Sequence, residues 1–360
     1  MVQRIFEHRA EKLAKIRKEM ALNKKHPFYI EDLRAILSIE GIDSLRGKSI
    51  LITGATGLLG VQMIDALMLL GDVFVYAVGR SKEKAAERLG EYFDNPNFRF
   101  MEHDVCFPFD SNISVDYIIP CASNTHPLAY AQYPIETIMI NVKGAEHALD
   151  MAERCGAAVL YPSTVEVYGN AHDEDTFTED YTGILSLSTS RACYTESKRV
   201  SEALCQSYIA ERDVDVRIVR LSRVFGPTML MSDSKASSQF IKKAIANENI
   251  VLKSRGEQYF SYTYVADAVA AMLYVMIHGE RGVAYNISCR KCDVRLKDFA
   301  ELCANYNGKE VVYDIPDNTE VRGFSIATKA ILDNSRLCAL GFTPKYDMET
   351  ALYRTISILQ

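Results

Sequence analysis

The chain has 360 residues, 48% of them hydrophobic and 24% charged, with a formal net charge of −6. These are soluble globular values with room for one large or two modest domains. The acidic balance argues against a nucleic-acid partner, because a phosphate backbone needs a basic face. No apolar run approaches the ~18 residues of a transmembrane helix, and the basic, polar N-terminus does not predict a secretory signal. Nine scattered cysteines fit reduced thiols in a cytoplasm better than a disulfide framework.

Residues 1–46 stand apart as a helical extension. "EHRAEKLAKIRKEMALNKK" puts Leu13, Ile16, Met20 and Leu22 near helical spacing, with Pro27 ending the segment. From Lys48 the pattern alternates. "SILITGA" reads as a buried strand, followed by an apolar-periodic helix through Leu70. "VFVYAVG", "FRFMEHDV" and "VDYIIPCAS" give three more strands, and a helix follows through about Ala152. The strand "AAVLYPST", a helix from about Tyr194 to Ala210 and the strand "VRIVRLS" complete the series. Strands alternating with helices of this length predict an α/β fold with a doubly wound parallel sheet over residues 47–224. The chain from 225 to 360 is less regular and reads as a smaller C-terminal lobe, with 260–288 returning to the first domain.

"TGATGLLG", from Thr53 to Gly60, sits between a strand and a helix. In that context Gly54 permits a tight turn, Gly57 lets backbone approach a pyrophosphate, and Gly60 allows close helix–strand packing. "YTESK" places Tyr194 and Lys198 one helical turn apart on one face. An ammonium beside a phenol favours the phenolate, which suits proton exchange with a sugar hydroxyl during hydride transfer. "PSTVEVYG" closes a strand with Ser163 and Thr164 at the carboxyl edge of the same sheet. "CRKC", Cys289 to Cys292, has metal-ligand spacing but no second pair, so no metal is expected. His126, in "SNTHPLAY", is a candidate for the cleft wall beside the plainer reading of a loop histidine.

"TGATGLLG", "HDV", "NVKGAEHAL", "PSTVEVYG", "CYTESKRVSE", "RLSRVFGP" and "YTYVADAV" together resemble an extended short-chain dehydrogenase/reductase of the nucleotide-sugar epimerase/dehydratase kind. The resemblance runs from about Lys48 to the end and is strongest to UDP-glucuronate decarboxylases and dTDP-glucose 4,6-dehydratases. It implies a Rossmann sheet and a triad of Thr164, Tyr194 and Lys198, with Glu166 as a further acid/base candidate. It also implies that Gly54, Thr56, Gly57, Leu58, Leu59 and Gly60 follow the cofactor phosphates. Asp104 and Val105 would lie by the adenine, and Cys121, Ala122 and Ser123 along the cofactor. The implied partner is a nucleotide-linked sugar, and the helices near 127–152 and 194–210 would be the faces of a homodimer or homotetramer.

Three positions depart from the resemblance. Val165 stands where those relatives carry Asp or Ser, Phe260 where they carry a diphosphate-binding arginine, and Arg223 where they carry asparagine. Arg223 is therefore the expected replacement cation at the diphosphate, since a guanidinium fork matches phosphate oxygens. The strand "VFVYAVG" ends in Gly79, Arg80 and Ser81, without the carboxylate that grips the adenosine ribose of NAD. Arg80 and Ser81 favour NADP, with NAD possible. The leading expectation is NADPH-dependent reduction of a nucleotide-linked, notably CDP-linked, keto sugar for bacterial surface polysaccharide. The alternative is a redox-neutral, NAD-dependent epimerase, dehydratase or decarboxylase.

Overall fold

The structure is a computed structural model and describes residues 22–125, 127–170, 176–314 and 328–360. The first ten strands in chain order are β1 (Ser49–Thr53), β2 (Phe74–Gly79), β3 (Phe98–Glu102), β4 (Tyr117–Pro120), β5 (Ala158–Thr164), β6 (Val216–Leu221), β7 (Arg223–Phe225), β8 (Ile250–Leu252), β9 (Tyr259–Tyr264) and β10 (Ala284–Ile287). Seven of them form the central sheet, in the order β10-β6-β5-β4-β1-β2-β3. Every pair in it is parallel. This is the doubly wound α/β sheet that the alternating pattern predicts.

β1 shows why its strands are apolar almost throughout. Ile50 and Ile52 enter one buried cluster while Leu51 enters the other, because successive side chains point to opposite faces. The helices Leu58–Leu70 and Val265–His278 cover the first face, and Pro134–Cys155 and Ala192–Arg212 cover the second. A sheet buried on both sides needs this continuous hydrophobicity. Strand order reverses about β1, between β2 and β4, which opens a crevice at the carboxyl ends where such sheets take ligands.

β7 follows β6 directly but pairs with β9 in a smaller sheet, with Arg223 opposite Tyr262. The chain thus leaves the central sheet at Ser222 and rejoins it at β10. "CRKC" forms a short turn in which the Cys289 and Cys292 thiols both donate to the Tyr346 carbonyl, at 3.3 and 3.5 Å.

The N-terminal region departs from expectation. Leu13, Ile16 and Met20 lie outside the described residues. Pro27 begins a helix, Pro27–Ile36, instead of ending one. It occupies the first turn, where its missing N–H has no intrahelical partner to lose. The segment does not stand apart, because two buried carboxylates bind it to both lobes. Asp65, on the helix after the glycine turn, accepts from Lys24 Nζ at 2.8 Å, the Tyr29 hydroxyl at 2.5 Å and the Tyr92 hydroxyl at 3.0 Å. Asp32 accepts from the Tyr264 hydroxyl and from Arg354 Nη2 at 2.7 Å, the latter on the C-terminal helix Met348–Leu359. Among the described residues, no helix is long and apolar enough to cross a membrane.

Candidate active site

The crevice is lined by the ends of β1, β2, β4 and β5. After β1 the chain turns at Gly54, whose φ of 64° is left-handed. A Cβ there would lie 2.9 Å from the Ala122 nitrogen and the Cys121 carbonyl. At Gly60 a Cβ would meet the Gly54 carbonyl at 2.5 Å, so the helix Leu58–Leu70 packs directly on the turn. That helix begins at Gly57 with no side-chain cap, leaving its first N–H groups to a ligand. Thr56, Leu58 and Leu59 are half-buried along the same turn. On the far side Ala122 donates to Thr53 Oγ1 at 3.0 Å, closing β4 against β1. A close-approach turn facing an uncapped helix start fits a dinucleotide pyrophosphate.

Asp104 makes a local turn by accepting from the Cys106 nitrogen at 3.0 Å. Val105 is buried against Gly144, where an added Cβ would approach its Cγ2 to 3.2 Å. Burial raises the Cys121 thiol to about 12, against the pull of Lys198. Ser123 begins a chain that reaches the helix carrying Tyr194 and Lys198. Its hydroxyl donates to Asn141 Oδ1 at 2.8 Å, Asn141 Nδ2 donates to Ser197 Oγ at 2.9 Å, and Ser197 Oγ donates to the Tyr194 carbonyl at 2.9 Å.

The helix Ala192–Arg212 carries Tyr194 and Lys198 into the crevice, two residues longer at each end than its sequence pattern predicts. Thr164 ends β5 and accepts from the Glu166 nitrogen at 3.3 Å. Lys198 Nζ donates to the Pro162 carbonyl at 2.8 Å and the Tyr161 hydroxyl at 3.4 Å. Burial lowers this ammonium to about 8. The expected lowering of Tyr194 is absent: burial and the charge of Glu166 raise the phenol, opposed by Thr164 and by Arg191. Lys198 is committed to backbone beneath it.

Three neighbours of this centre carry weak sequence signals. Arg191 Nη2 straddles the Glu166 carboxylate at 3.1 and 2.9 Å. The same guanidinium lies 4.6 Å over the Tyr130 ring, and Tyr130 stacks on Tyr194 with centroids 4.8 Å apart. Asn141 is the third. Only the run "RACYTESK" and the asparagine of "NVKG" hint at two of them, and nothing in the sequence marks Tyr130. Val165 is buried beside them and brings no titratable group.

Arg223 and Phe260, singled out separately from the sequence, meet. The Arg223 guanidinium sits 3.5 Å from the Phe260 ring centroid. Its buried Nη1 finds no hydrogen-bond partner among the described residues, and neither do Arg191 Nη1 and Ser163 Oγ. Arg80 lies elsewhere, its Nη1 donating to Glu136 Oε1 at 2.8 Å. Ser81 caps the helix Lys82–Leu89, accepting from the Lys84 nitrogen at 3.2 Å and donating to Glu83 at 2.8 Å. The expected phosphate clamp is therefore already engaged by protein groups. His126 lies outside the described residues.

The chain matches the NAD dependent epimerase/dehydratase family over residues 50–288. UDP-glucuronic acid decarboxylase 1 of Xenopus tropicalis is 36% identical over 235 residues, 64% of this chain and 53% of that protein. UDP-glucuronic acid decarboxylase 2 of Arabidopsis thaliana is 34% identical over 242 residues, 67% of this chain and 53% of that protein. The matched region thus spans about half the length of these relatives. A UDP-glucose 4-epimerase from Thermotoga maritima superposes with a TM-score of 0.72 at 23% identity, covering 86% of this chain and 98% of that one. A Bacillus anthracis dTDP-glucose 4,6-dehydratase, solved with NAD, gives 0.72 at 19% identity, over 86% and 96% of the two chains. At those identities the structural likeness is one of fold. The glycine turn, the Thr164–Tyr194–Lys198 arrangement and the family match over two-thirds of the sequence agree: this chain belongs to the NAD dependent epimerase/dehydratase family, on the extended short-chain dehydrogenase/reductase fold.

Proposed function

We propose that the chain catalyses a redox-neutral conversion of a nucleotide-linked sugar on NAD, the alternative reading of its sequence, in place of net reduction by NADPH. The observation that carries this is the Glu166–Arg191 pair beside Tyr194. A net reduction needs one proton donor, which Tyr194 supplies, and leaves no task for a second, oriented acid/base group. The curated relatives support the reading, being decarboxylases of a UDP-linked sugar acid.

Gly54, Gly57 and Gly60 would hold NAD, whose nicotinamide would supply reversible hydride exchange with the sugar, with no net redox change over a turnover. The rest falls to this chain's residues. Tyr194 takes the proton from the reacting hydroxyl, and Thr164 holds the oxygen left behind. Lys198, fixed by the Pro162 carbonyl, supplies positive charge as the phenolate forms. Glu166 exchanges a proton at the neighbouring carbon, oriented by Arg191. Val165 removes the second acid that elimination of a hydroxyl requires, which favours epimerisation or decarboxylation over dehydration. Arg223 offers its free nitrogen to the diphosphate. We further assign homodimerisation to the helices Pro134–Cys155 and Ala192–Arg212, whose Ile135, Ile138, Met139 and Val200 are exposed; light scattering at a monomer's mass would remove that part.

The test is incubation with NAD and a panel of UDP- and dTDP-linked sugars, including UDP-glucuronate. New product by NMR with unchanged absorbance at 340 nm over many turnovers is the expected result. Stoichiometric NADPH consumption with a keto sugar would reinstate the reductase.

A further inference from the structure

The second strand ends without an acid, yet a carboxylate stands at that end of the crevice. Arg80, the residue after β2, reaches to the first turn of the helix Pro134–Cys155 and binds Glu136 at 2.8 Å. Glu102 closes β3 directly opposite Gly79 in the sheet register, its Oε1 accepting from the Lys82 nitrogen at 3.2 Å. Asp104 lies two residues further on. His147, on the same helix as Glu136, sets its Nδ1 2.9 Å from the Val105 carbonyl, so that helix and the residues after β3 bound a common space. That space adjoins Val105, at the carboxyl ends of β2 and β3, where the adenosine of a dinucleotide lies in this architecture.

We propose that Glu136, held by Arg80, takes the place of the missing strand-end carboxylate, so that the adenosine-ribose end of this site selects NAD over NADP. The inference rests on the site being a dinucleotide site and deepens the choice of NAD above. A ribose 2′-hydroxyl is a neutral donor that a carboxylate accepts. A 2′-phosphate brings close to two negative charges against Glu136, Glu102 and Asp104, and the one guanidinium among them is already paired. Lys82 and Lys84 extend from an exposed helix, and Ser81, the hydroxyl that would complete a phosphate clamp, is spent on capping that helix. The acidic function has moved from the strand to the facing helix, with arginine as the bridge.

The experiment is a titration of the full chain with NADH and NADPH, followed by nicotinamide fluorescence. The wild type binds NADH at least tenfold tighter, a difference of about 1.4 kcal/mol. In E136Q the preference falls at least fivefold, through weaker NADH and tighter NADPH. R80A keeps its preference for NADH, because Arg80 is not a phosphate clamp. Both changes lie at an exposed ion pair, so both proteins fold. Tighter NADPH binding by the wild type, an unchanged ratio in E136Q, or selective loss of NADPH in R80A would each overturn the proposal. No sugar nucleotide is present in these titrations. A failed ratio therefore leaves the redox-neutral reading standing, and that reading falls only on net change at 340 nm.

Discussion

Arg80 and Arg223 stand in opposite conditions. Arg80 is 57% exposed and bonded to Glu136. Arg223 lies against Phe260 with a buried nitrogen that has no partner among the described residues. A guanidinium already answered by a carboxylate has little left for an incoming anion. One that is desolvated and unanswered is a standing cost to the fold, which an anion would relieve. The sequence presents both as basic residues following a strand, and only the surroundings separate them.

The largest effect that would sharpen this contrast concerns a third cation, Lys198, which is buried and donates to the Pro162 carbonyl and the Tyr161 hydroxyl. Its folded value of about 8 lies below the ordinary 10.5. Between these values the unfolded chain holds the proton more tightly, so stability rises as pH climbs from 8 to 10.5 and is lost as pH falls back through 8. The span is on the order of 3 kcal/mol. In denaturant melts, K198M should flatten that rise; an equal slope in both proteins would mean that Lys198 is not desolvated.

Next, R223A should raise KM for the nucleotide sugar about 30-fold, from the ~2 kcal/mol typical of truncating one side of a buried charge pair. Its affinity for NADH should not move. An unchanged KM would break the comparison outright. A smaller effect is expected at Arg191. R191M and E166Q should each lower kcat about tenfold, and the double variant little further, because each acts through the same contact. Additive losses would separate the two residues. Smallest of all, R80A should change unfolding stability by no more than about 1 kcal/mol, as exposed ion pairs do.

The backbone-dictated features were legible in advance. β1, β2, β5 and β6 read correctly because parallel strands buried on both faces are mostly apolar, and the glycine turn because only glycine fits beneath Cys121 and Ala122. That Tyr194 and Lys198 share one helix was also legible, from their spacing. Pairings between distant segments did not read. Arg80 with Glu136, Arg191 with Tyr130, and Arg223 with Phe260 each join residues that are ordinary singly. The N-terminal region failed for the same reason. Asp32 looks like a solvated charge until the fold brings Tyr264 and Arg354 to it.

That last contact bears on how this protein can be divided. The family match starts at residue 50, which invites treating everything before it as a removable leader. A fragment cut there would strip Lys24 and Tyr29 from buried Asp65, and Asp32 from Tyr264 and Arg354, across both lobes at once. The helix Pro27–Ile36 works as a keystone shared by two halves. A chimera that exchanges the C-terminal part for a relative's must therefore carry a matching first helix or rebuild both acidic sockets as an apolar seam.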